Sequence, residues 1–132
     1  ALGVDVHAHR ATLAASGLTV GVLGSGVLNI YPQQHRKMAE AVLLRGALIC
    51  EVAPSAGVSA PQLVARNRII TGLCQGVIVV ETAVDGGAMH AARFAKMQGV
   101  PVYAVDNAAS GNQALLADGA QPISEDFSDF EL

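Results

Sequence analysis

Short apolar runs recur along the chain, and each one is followed by glycine or polar residues. Their apolar character is continuous rather than alternating, which is typical of parallel strands covered on both faces. The clearest runs are Thr19–Leu23, Ala47–Val52, Gly76–Glu81 and Pro101–Val105. A shorter run, Gln121–Ser124, is interpreted as a last edge strand.

The stretches between these runs carry apolar residues at helical spacing. Helices are predicted over Val6–Ser16, His35–Leu44, Pro61–Leu73, Ala88–Gln98 and Asn112–Asp118. Asp5 is expected to cap the start of the first helix, and Gly17 to follow its end. Alternation of strand and helix with right-handed crossovers predicts an α/β fold, an open and mostly parallel sheet with helices on both faces.

Composition limits the number of domains and the class of protein. The 132 residues are 52% apolar and 14% charged, which suits a single domain. No apolar run approaches the roughly 20 residues of a spanning helix, so we expect no membrane association. No signal segment opens the sequence and its two cysteines do not suggest a disulfide framework, so we expect a cytoplasmic location. Cys50 and Cys74 lie in apolar contexts, which favours inert core thiols over a disulfide framework.

Charge is concentrated at the end of the chain. The net charge is −3, and residues 125–132 contribute four carboxylates, so residues 1–124 carry +1. This excludes a strongly basic, histone-like protein but not a local group of arginines. We predict a domain over residues 1–124 and an acidic tail over residues 125–132.

Ligands of such sheets bind beyond the carboxyl ends of the strands. The turn Gly24, Ser25 and Gly26 follows the first predicted strand. Its amides and hydroxyl suit an anion, although a glycine turn that only lets a helix approach the strand remains an alternative. Gly86 and Gly87, ahead of a helix, form a second candidate cradle for an anion.

Arg66, Asn67 and Arg68 form the most informative polar cluster, because the rest of their predicted helix is apolar. One arginine is expected to face solvent and the other the strand ends, where a guanidinium suits phosphate oxygens. Two ordinary surface arginines are the alternative.

Two further patterns carry weaker chemistry. Asp5, His7 and His9 match a metal-ligand spacing of barrel hydrolases, but those need about 250 residues and further ligands. We therefore expect no metal and a helix start at this position. Glu51 and Glu81 lie at the ends of adjacent predicted strands, and they are interpreted as structural acids rather than as a catalytic pair.

Taken in order, these motifs resemble the DprA/Smf family of DNA-processing proteins. The resemblance covers about residues 1–124. Its blocks are Gly3-Val4-Asp5 with Ala8-His9 and Leu13, Val22–Gly26 with Ile30-Tyr31-Pro32, Gly46–Leu48 with Glu51, Arg66–Cys74, and Gly111-Asn112 with Leu115–Ala120.

The resemblance implies a Rossmann-like domain that binds single-stranded DNA at its strand ends, without catalysis or a cofactor. It implies a homodimer that protects incoming DNA during natural transformation and loads the RecA recombinase. The residues expected at the DNA are Gly24, Ser25, Gly26, Gln33, Arg66, Asn67, Arg68, Gly86 and Gly87.

Several departures from the family pattern stand beside this resemblance. Asp85 and the two glycines after it replace a basic, serine-containing loop, and Gln33 stands where a basic residue is common. The family's first strand, helix and second strand have no counterpart here, so the chain is expected to begin within the fold and to hold part of the DNA pocket.

An alternative function follows from a second resemblance. The LOG-type phosphoribohydrolases use a similar sheet and a glycine-rich loop with a glutamate, which Glu81 and the loop at Asp85 resemble. Here the proline before that loop and the threonine and glutamate after it are missing. A nucleotide-binding sensor or phosphoribohydrolase is therefore the second hypothesis.

Overall fold

A computed structural model describes residues 3–131 of the chain. Six α-helices and five short β-strands are present in this part, together with a 3-10 turn over Gln33–His35. The helices are α1 Val4–Ala14, α2 Arg36–Leu43, α3 Ala60–Ala65, α4 Asn67–Gly72, α5 Gly87–Gln98 and α6 Ser110–Ala117. The strands are β1 Val20–Leu23, β2 Ala47–Cys50, β3 Val77–Val79, β4 Val102–Val105 and β5 Gln121–Ile123.

The strands are parallel, and the predicted α/β class is confirmed. In the described residues they form two open sheets instead of the one expected from the sequence, with the orders β1-β2 and β3-β4-β5. Val20 pairs with Ala47 at the start of the first sheet, and Val77 pairs with Val102 in the second. Strand β5 lies at an edge, as predicted for Gln121–Ser124.

The chain divides into two units, residues 1–66 and residues 67–132. In the first unit, the buried apolar residues come from α1, β1 and α2, and Val42 is 2% exposed. In the second unit, Val79, Ala92, Ala104 and Leu115 form a core cluster, and Ala95, Val105 and Ile123 are also buried. Each core thus joins strands to the helices that connect them, because apolar runs on both element types are removed from water together.

The ends of α1 differ from those predicted. Gly3 occupies the N-cap position without a side-chain hydrogen bond, so the prediction that Asp5 caps the helix was wrong. Asp5 lies in the first turn, where a negative charge is favourable next to the helix N-terminus. At the other end, Ser16 rather than Gly17 adopts the left-handed conformation, with φ 60°. The Gly17 N–H donates to the Thr12 carbonyl at 2.8 Å. Glycine at position 17 is therefore explained by the close approach of its backbone to Thr12, not by a positive φ.

The helix predicted over residues 61–73 is two helices. Ser59 caps α3 by accepting a hydrogen bond from the Gln62 N–H, and the helix ends at Ala65. Arg66 is the C-cap residue, and α4 begins at Asn67. Cys74, which follows α4, is exposed, so its assignment to the core was also wrong; Cys50 is half-buried.

The acidic segment after β5 is ordered around Ser124. The Ser124 hydroxyl donates to Asp129 at 2.6 Å and to Asp126 at 2.8 Å. Hydrogen bonds from the Ser128 N–H and hydroxyl, and then from Ser124, lower the pKa of Asp126 to about 2. Phe130 packs edge-on against Tyr103 of β4 with ring centroids 5.2 Å apart. The proposed boundary between residues 124 and 125 stays a prediction.

Across residues 3–131, the structure contains no helix that is both long enough and apolar enough to cross a membrane.

Candidate functional site

The turn that follows β1 is closely packed against other parts of the first unit. Gly24, Ser25 and Gly26 are all buried. A Cβ at Gly24 would lie 2.8 Å from the Leu63 side chain, and one at Gly26 would lie 2.1 Å from the Pro54 carbonyl oxygen. Gly26 therefore excludes a side chain, because its nearest neighbours are backbone atoms, whereas a side chain at Gly24 would require the Leu63 side chain to move.

The amide of Gly26 is already used within the protein. Its N–H donates to the Ala56 carbonyl at 2.9 Å, and the Leu28 N–H donates to the Pro54 carbonyl at 2.9 Å. The expectation that the Gly26 N–H helps to hold an anion is therefore not met. The reason is tertiary: the loop after β2 supplies carbonyl acceptors that sequence reasoning did not place beside this turn.

Ser25 remains the residue of this turn that indicates a ligand. Its side chain is 1% exposed, and its hydroxyl has no hydrogen-bond partner among the described residues. Burying an unpartnered hydroxyl costs about 1–3 kcal/mol. A ligand oxygen that accepts from Ser25 Oγ offsets this cost, so the turn favours an anionic or polar ligand through one hydroxyl rather than through a ring of amides.

Arg66 lies against the strand that leads into this turn. Its Nη1 donates to the backbone carbonyl of Val22 in β1. Burial lowers the pKa of the guanidinium, and the negative charge of Asp5 raises it. Arg66 is thus anchored two residues before Gly24, within the same unit as the glycine turn.

The other polar residues of this cluster are placed differently. Arg68 is exposed on α4, whereas Asn67 is half-buried at the start of that helix. Gln98 on α5 donates to the Arg68 carbonyl at 2.8 Å, and buried Thr71 donates to the Gln98 side chain at 2.5 Å. These bonds fix the backbone from which the Arg68 side chain projects.

Gln33 is exposed in the 3-10 turn that follows the cis peptide bond between Tyr31 and Pro32. Its proposed role at the ligand stays a prediction.

The second unit contains the loop with Gly86 and Gly87. Gly86 is the N-cap of α5, and a Cβ there would lie 2.3 Å from Thr82 Oγ1. Gly87 differs, since its φ is not positive and a Cβ would meet nothing within 4 Å. Packing therefore explains the glycine at position 86, whereas no contact within the described residues requires the glycine at position 87.

Charge distinguishes the two units. Residues 1–66 contain five Lys or Arg residues and three Asp or Glu residues. Residues 67–132 contain three Lys or Arg residues and eight Asp or Glu residues. Glu81 and Asp85 are exposed in the loop after β3, and Asp106 is exposed after β4. The strand ends of the second unit thus repel phosphate, and the first unit provides the more favourable electrostatic environment for an anion.

Sequence reasoning missed the role of Asn112. Its side chain is fully buried and hydrogen-bonds to the backbone at Thr82, Val80 and Val105. In the sequence it was only one residue of a family block. An amide in the first turn of a helix whose later residues are apolar was the signal that could have indicated a buried polar contact.

The histidines of the metal-like pattern have other surroundings. His9 Nδ1 lies 2.6 Å from the Thr19 hydroxyl, and burial lowers its pKa. His7 is exposed. In the part of the chain that the structure describes, no group of three or more His, Cys, Asp or Glu side chains could hold a metal ion.

Comparison with known proteins gives consistent matches. A family model described as DNA recombination-mediator protein A matches residues 1–130. Protein Smf of Escherichia coli strain K12 is 37% identical over 131 residues, which are 95% of this chain and 35% of that protein. The chain therefore spans about a third of this curated relative.

Two solved structures are also similar. DNA processing protein A of Streptococcus pneumoniae matches with a TM-score of 0.84 and 29% identity, over 98% of this chain and 49% of the other. DNA processing protein A of Helicobacter pylori, a structure described for its single-stranded DNA binding mode, matches with a TM-score of 0.85 and 26% identity. That match covers 92% of this chain and 57% of the other.

Proposed function

The chain belongs to the DNA recombination-mediator protein A family, and on that premise we propose that it binds single-stranded DNA through the residues that follow its strands. The protein of Helicobacter pylori with a similar fold is described for its single-stranded DNA binding mode. The observation in this chain that best supports the proposal is the buried, unpartnered hydroxyl of Ser25 in the first unit.

Ser25 suits a phosphate oxygen of the DNA backbone. A phosphate offers strong acceptors, and a hydrogen bond to a charged acceptor is about twice as strong as a neutral one. Arg66, anchored to Val22, places a positive charge in the same unit. Gly24 and Gly26 contribute by letting the chain pack closely around Ser25, and the Gly26 amide is already bonded to the Ala56 carbonyl.

Arg68 and Asn67 supply further polar contacts from α4. The guanidinium of exposed Arg68 suits two phosphate oxygens, whereas the amide of Asn67 suits a sugar or base edge. Gln33 has the same bonding capacity on the first unit. Contacts of these types fix the position of a strand but carry little sequence information, so we expect binding with little base preference.

Gly86 and Gly87 have a different role in the proposed interface. The missing side chain at Gly87 leaves room for close approach of the DNA to the first turn of α5. Asp85 opposes that approach by repelling phosphate, so the loop contributes through shape rather than charge. This departure from the family pattern predicts weaker binding than a basic loop would give.

The wider activity extends the same proposal. We propose that the protein acts in natural transformation by protecting incoming single strands and loading the RecA recombinase, as a cytoplasmic homodimer. This role requires neither a cofactor nor catalytic turnover. It concerns the whole protein rather than the matched segment alone. Protein Smf, for example, is about three times as long as the segment that matches this chain.

The test compares ligands of equal length on the full chain. Fluorescence anisotropy with labelled 30-nucleotide oligonucleotides, single-stranded and double-stranded and of several sequences, measures the affinity. We expect tight, sequence-tolerant binding to single strands and weaker binding to duplexes. Equal affinity for both forms, or release of free base from a nucleoside monophosphate, would overturn the proposal, and the second result would support the phosphoribohydrolase hypothesis.

A further inference from the structure

A buried side-chain amide, that of Asn112, hydrogen-bonds to the loop that follows β3. The side chain of Asn112 is 0% exposed, and its Oδ1 accepts a hydrogen bond from the Thr82 N–H at 2.9 Å. Its Nδ2 donates to the Val105 carbonyl at 2.8 Å and to the Val80 carbonyl at 3.0 Å. Asn112 therefore joins the ends of β3 and β4 to the loop.

Two residues that precede Asn112 in α6, Ser110 and Gly111, also hydrogen-bond to this loop. The Gly111 N–H donates to the Thr82 carbonyl at 2.9 Å, and the Ser110 hydroxyl accepts from the Val84 N–H at 3.1 Å. A Cβ at Gly111 would lie 2.6 Å from the Ala83 carbonyl oxygen, so this contact needs glycine. Thr82 is thus bonded at both its N–H and its carbonyl.

The fixed segment leads directly to the glycines at the start of α5. The Gly86 N–H donates to the Ala83 carbonyl at 2.9 Å, and the Gly86 backbone packs against Thr82 Oγ1. A displacement of Thr82 or Ala83 therefore moves Gly86, and Gly87 moves with it. The orientation of the first turn of α5 depends on contacts made by α6.

We infer that Asn112 is a positioning residue for DNA binding, which it controls by fixing the loop that presents Gly87. This inference rests on the proposed function of that loop. Asparagine suits the position because its amide both accepts from Thr82 and donates to two carbonyls. An aspartate of the same shape retains the acceptor, but as a carboxylate it has no hydrogen to donate to the carbonyls of Val80 and Val105.

Two variants test the inference in the full chain. Asn112→Asp removes the side-chain N–H donors without changing the side-chain volume. Ser110→Ala removes the hydroxyl that accepts from the Val84 N–H. Because Ser110 is exposed, this second variant keeps the test available if Asn112→Asp does not fold. Ser128→Ala, an exposed serine outside this loop, is the matched control. Amide hydrogen exchange measures whether Thr82, Val84 and Gly86 lose protection.

We expect faster exchange at these amides in Asn112→Asp and Ser110→Ala, with affinity for a single-stranded oligonucleotide lower by about three- to tenfold. The Ser128→Ala control is expected to match the parent. A double-mutant cycle supplies the readout that general destabilisation would not produce. The loss of affinity caused by Asn112→Asp is expected to disappear in a protein that already carries Gly87→Ala. In a protein that already carries Arg68→Ala, the same loss is expected in full.

Unchanged affinity despite faster loop exchange would overturn the inference, as would full additivity with Gly87→Ala. If the folded parent binds no oligonucleotide, the proposed function fails and the DNA role of Asn112 fails with it. Exchange would then still decide whether Asn112 fixes the loop.

Discussion

The Arg66 guanidinium donates a hydrogen bond to the backbone carbonyl of Val22, a residue 44 positions earlier in the chain. This bond ties the arginine-rich segment to the strand that ends in the Gly24–Gly26 turn. Arg66 is also the C-cap residue of α3, the position at which the predicted long helix is interrupted before α4 begins at Asn67. The same contact places a cation in the unit that holds the buried Ser25 hydroxyl.

Ser25→Ala is expected to separate ligand binding from stability. The hydroxyl has no partner within the described residues, so its removal should leave the free energy of unfolding unchanged or slightly higher. Affinity for single-stranded DNA should fall by about 1 kcal/mol, roughly fivefold or more. Thermal unfolding and oligonucleotide anisotropy measure the two quantities.

The matched control for that change is Thr71→Val, which removes a buried hydroxyl that is bonded to Gln98. This variant should lose about 1 kcal/mol of stability. A Ser25→Ala protein that is destabilised like the control and binds DNA normally would show that the serine is structural.

Arg66→Ala and Arg68→Ala are expected to differ in stability. Loss of Arg66 leaves the Val22 carbonyl without this donor, so the unfolding free energy should fall by about 1–3 kcal/mol. Arg68 is exposed, so its loss should lower the unfolding free energy less than the loss of Arg66 does. Replacing Arg68 should lower the slope of log affinity against log salt concentration by about 0.7, the value for one phosphate of a single strand.

Denaturant unfolding and salt titration of the two variants check this prediction, with Arg93→Ala, an exposed arginine of α5, as a control. An unchanged salt slope in folded Arg68→Ala protein would remove this residue from the interface.

Gly86→Ala and Gly87→Ala provide a matched pair of adjacent glycine substitutions. The added methyl group at position 86 would clash with Thr82 Oγ1, so we expect a loss of about 1–3 kcal/mol in stability. At position 87 the space is open, and alanine is a better helix former by up to about 1 kcal/mol, so stability should be equal or higher. DNA affinity should fall in Gly87→Ala. If that stable variant binds DNA as the parent does, the open space at Gly87 is not used by the ligand.

Asp85→Asn is expected to strengthen DNA binding at low salt. The change removes a negative charge from an exposed loop, and exposed charge interactions contribute about 0.2–1 kcal/mol. The gain should shrink as salt is raised, because screening shortens the range of the repulsion. Glu125→Gln makes the same change in net charge outside this loop. The DNA affinities of both variants, measured at low and at high salt, decide whether the position of the removed charge matters. Equal gains in both variants would indicate a general charge effect.

The elements were largely predictable because their signals are local. Continuous apolar runs such as Thr19–Leu23 are typical of parallel strands, and the structure has strands within each predicted run. The exact ends of the helices were less predictable. Ser16 takes the left-handed position after α1, and Gly17 is needed for close approach to Thr12, which the residue types alone do not distinguish.

The candidate site was less predictable because it depends on tertiary contacts. Glycine at position 26 is explained by the carbonyl of Pro54, and its amide is used by Ala56. The partners of Asn112 lie at two separate places in the chain, residues 79–82 and Val105, so no local pattern identifies them. The sequence indicated which residue types stand at the strand ends, whereas only the structure distinguishes the buried hydroxyl of Ser25 from the amide that is already bonded.

Affinity of the full chain and of Ser25→Ala for a single-stranded oligonucleotide, followed by anisotropy across a series of salt concentrations, tests the central claim most directly. We predict that log affinity of the parent falls linearly with log salt concentration, because bound phosphates release counterions. We also predict that Ser25→Ala binds more weakly at every salt concentration while unfolding at the parent's temperature or above. Absence of binding by the folded parent at low salt, or identical curves for the two proteins, would contradict the account.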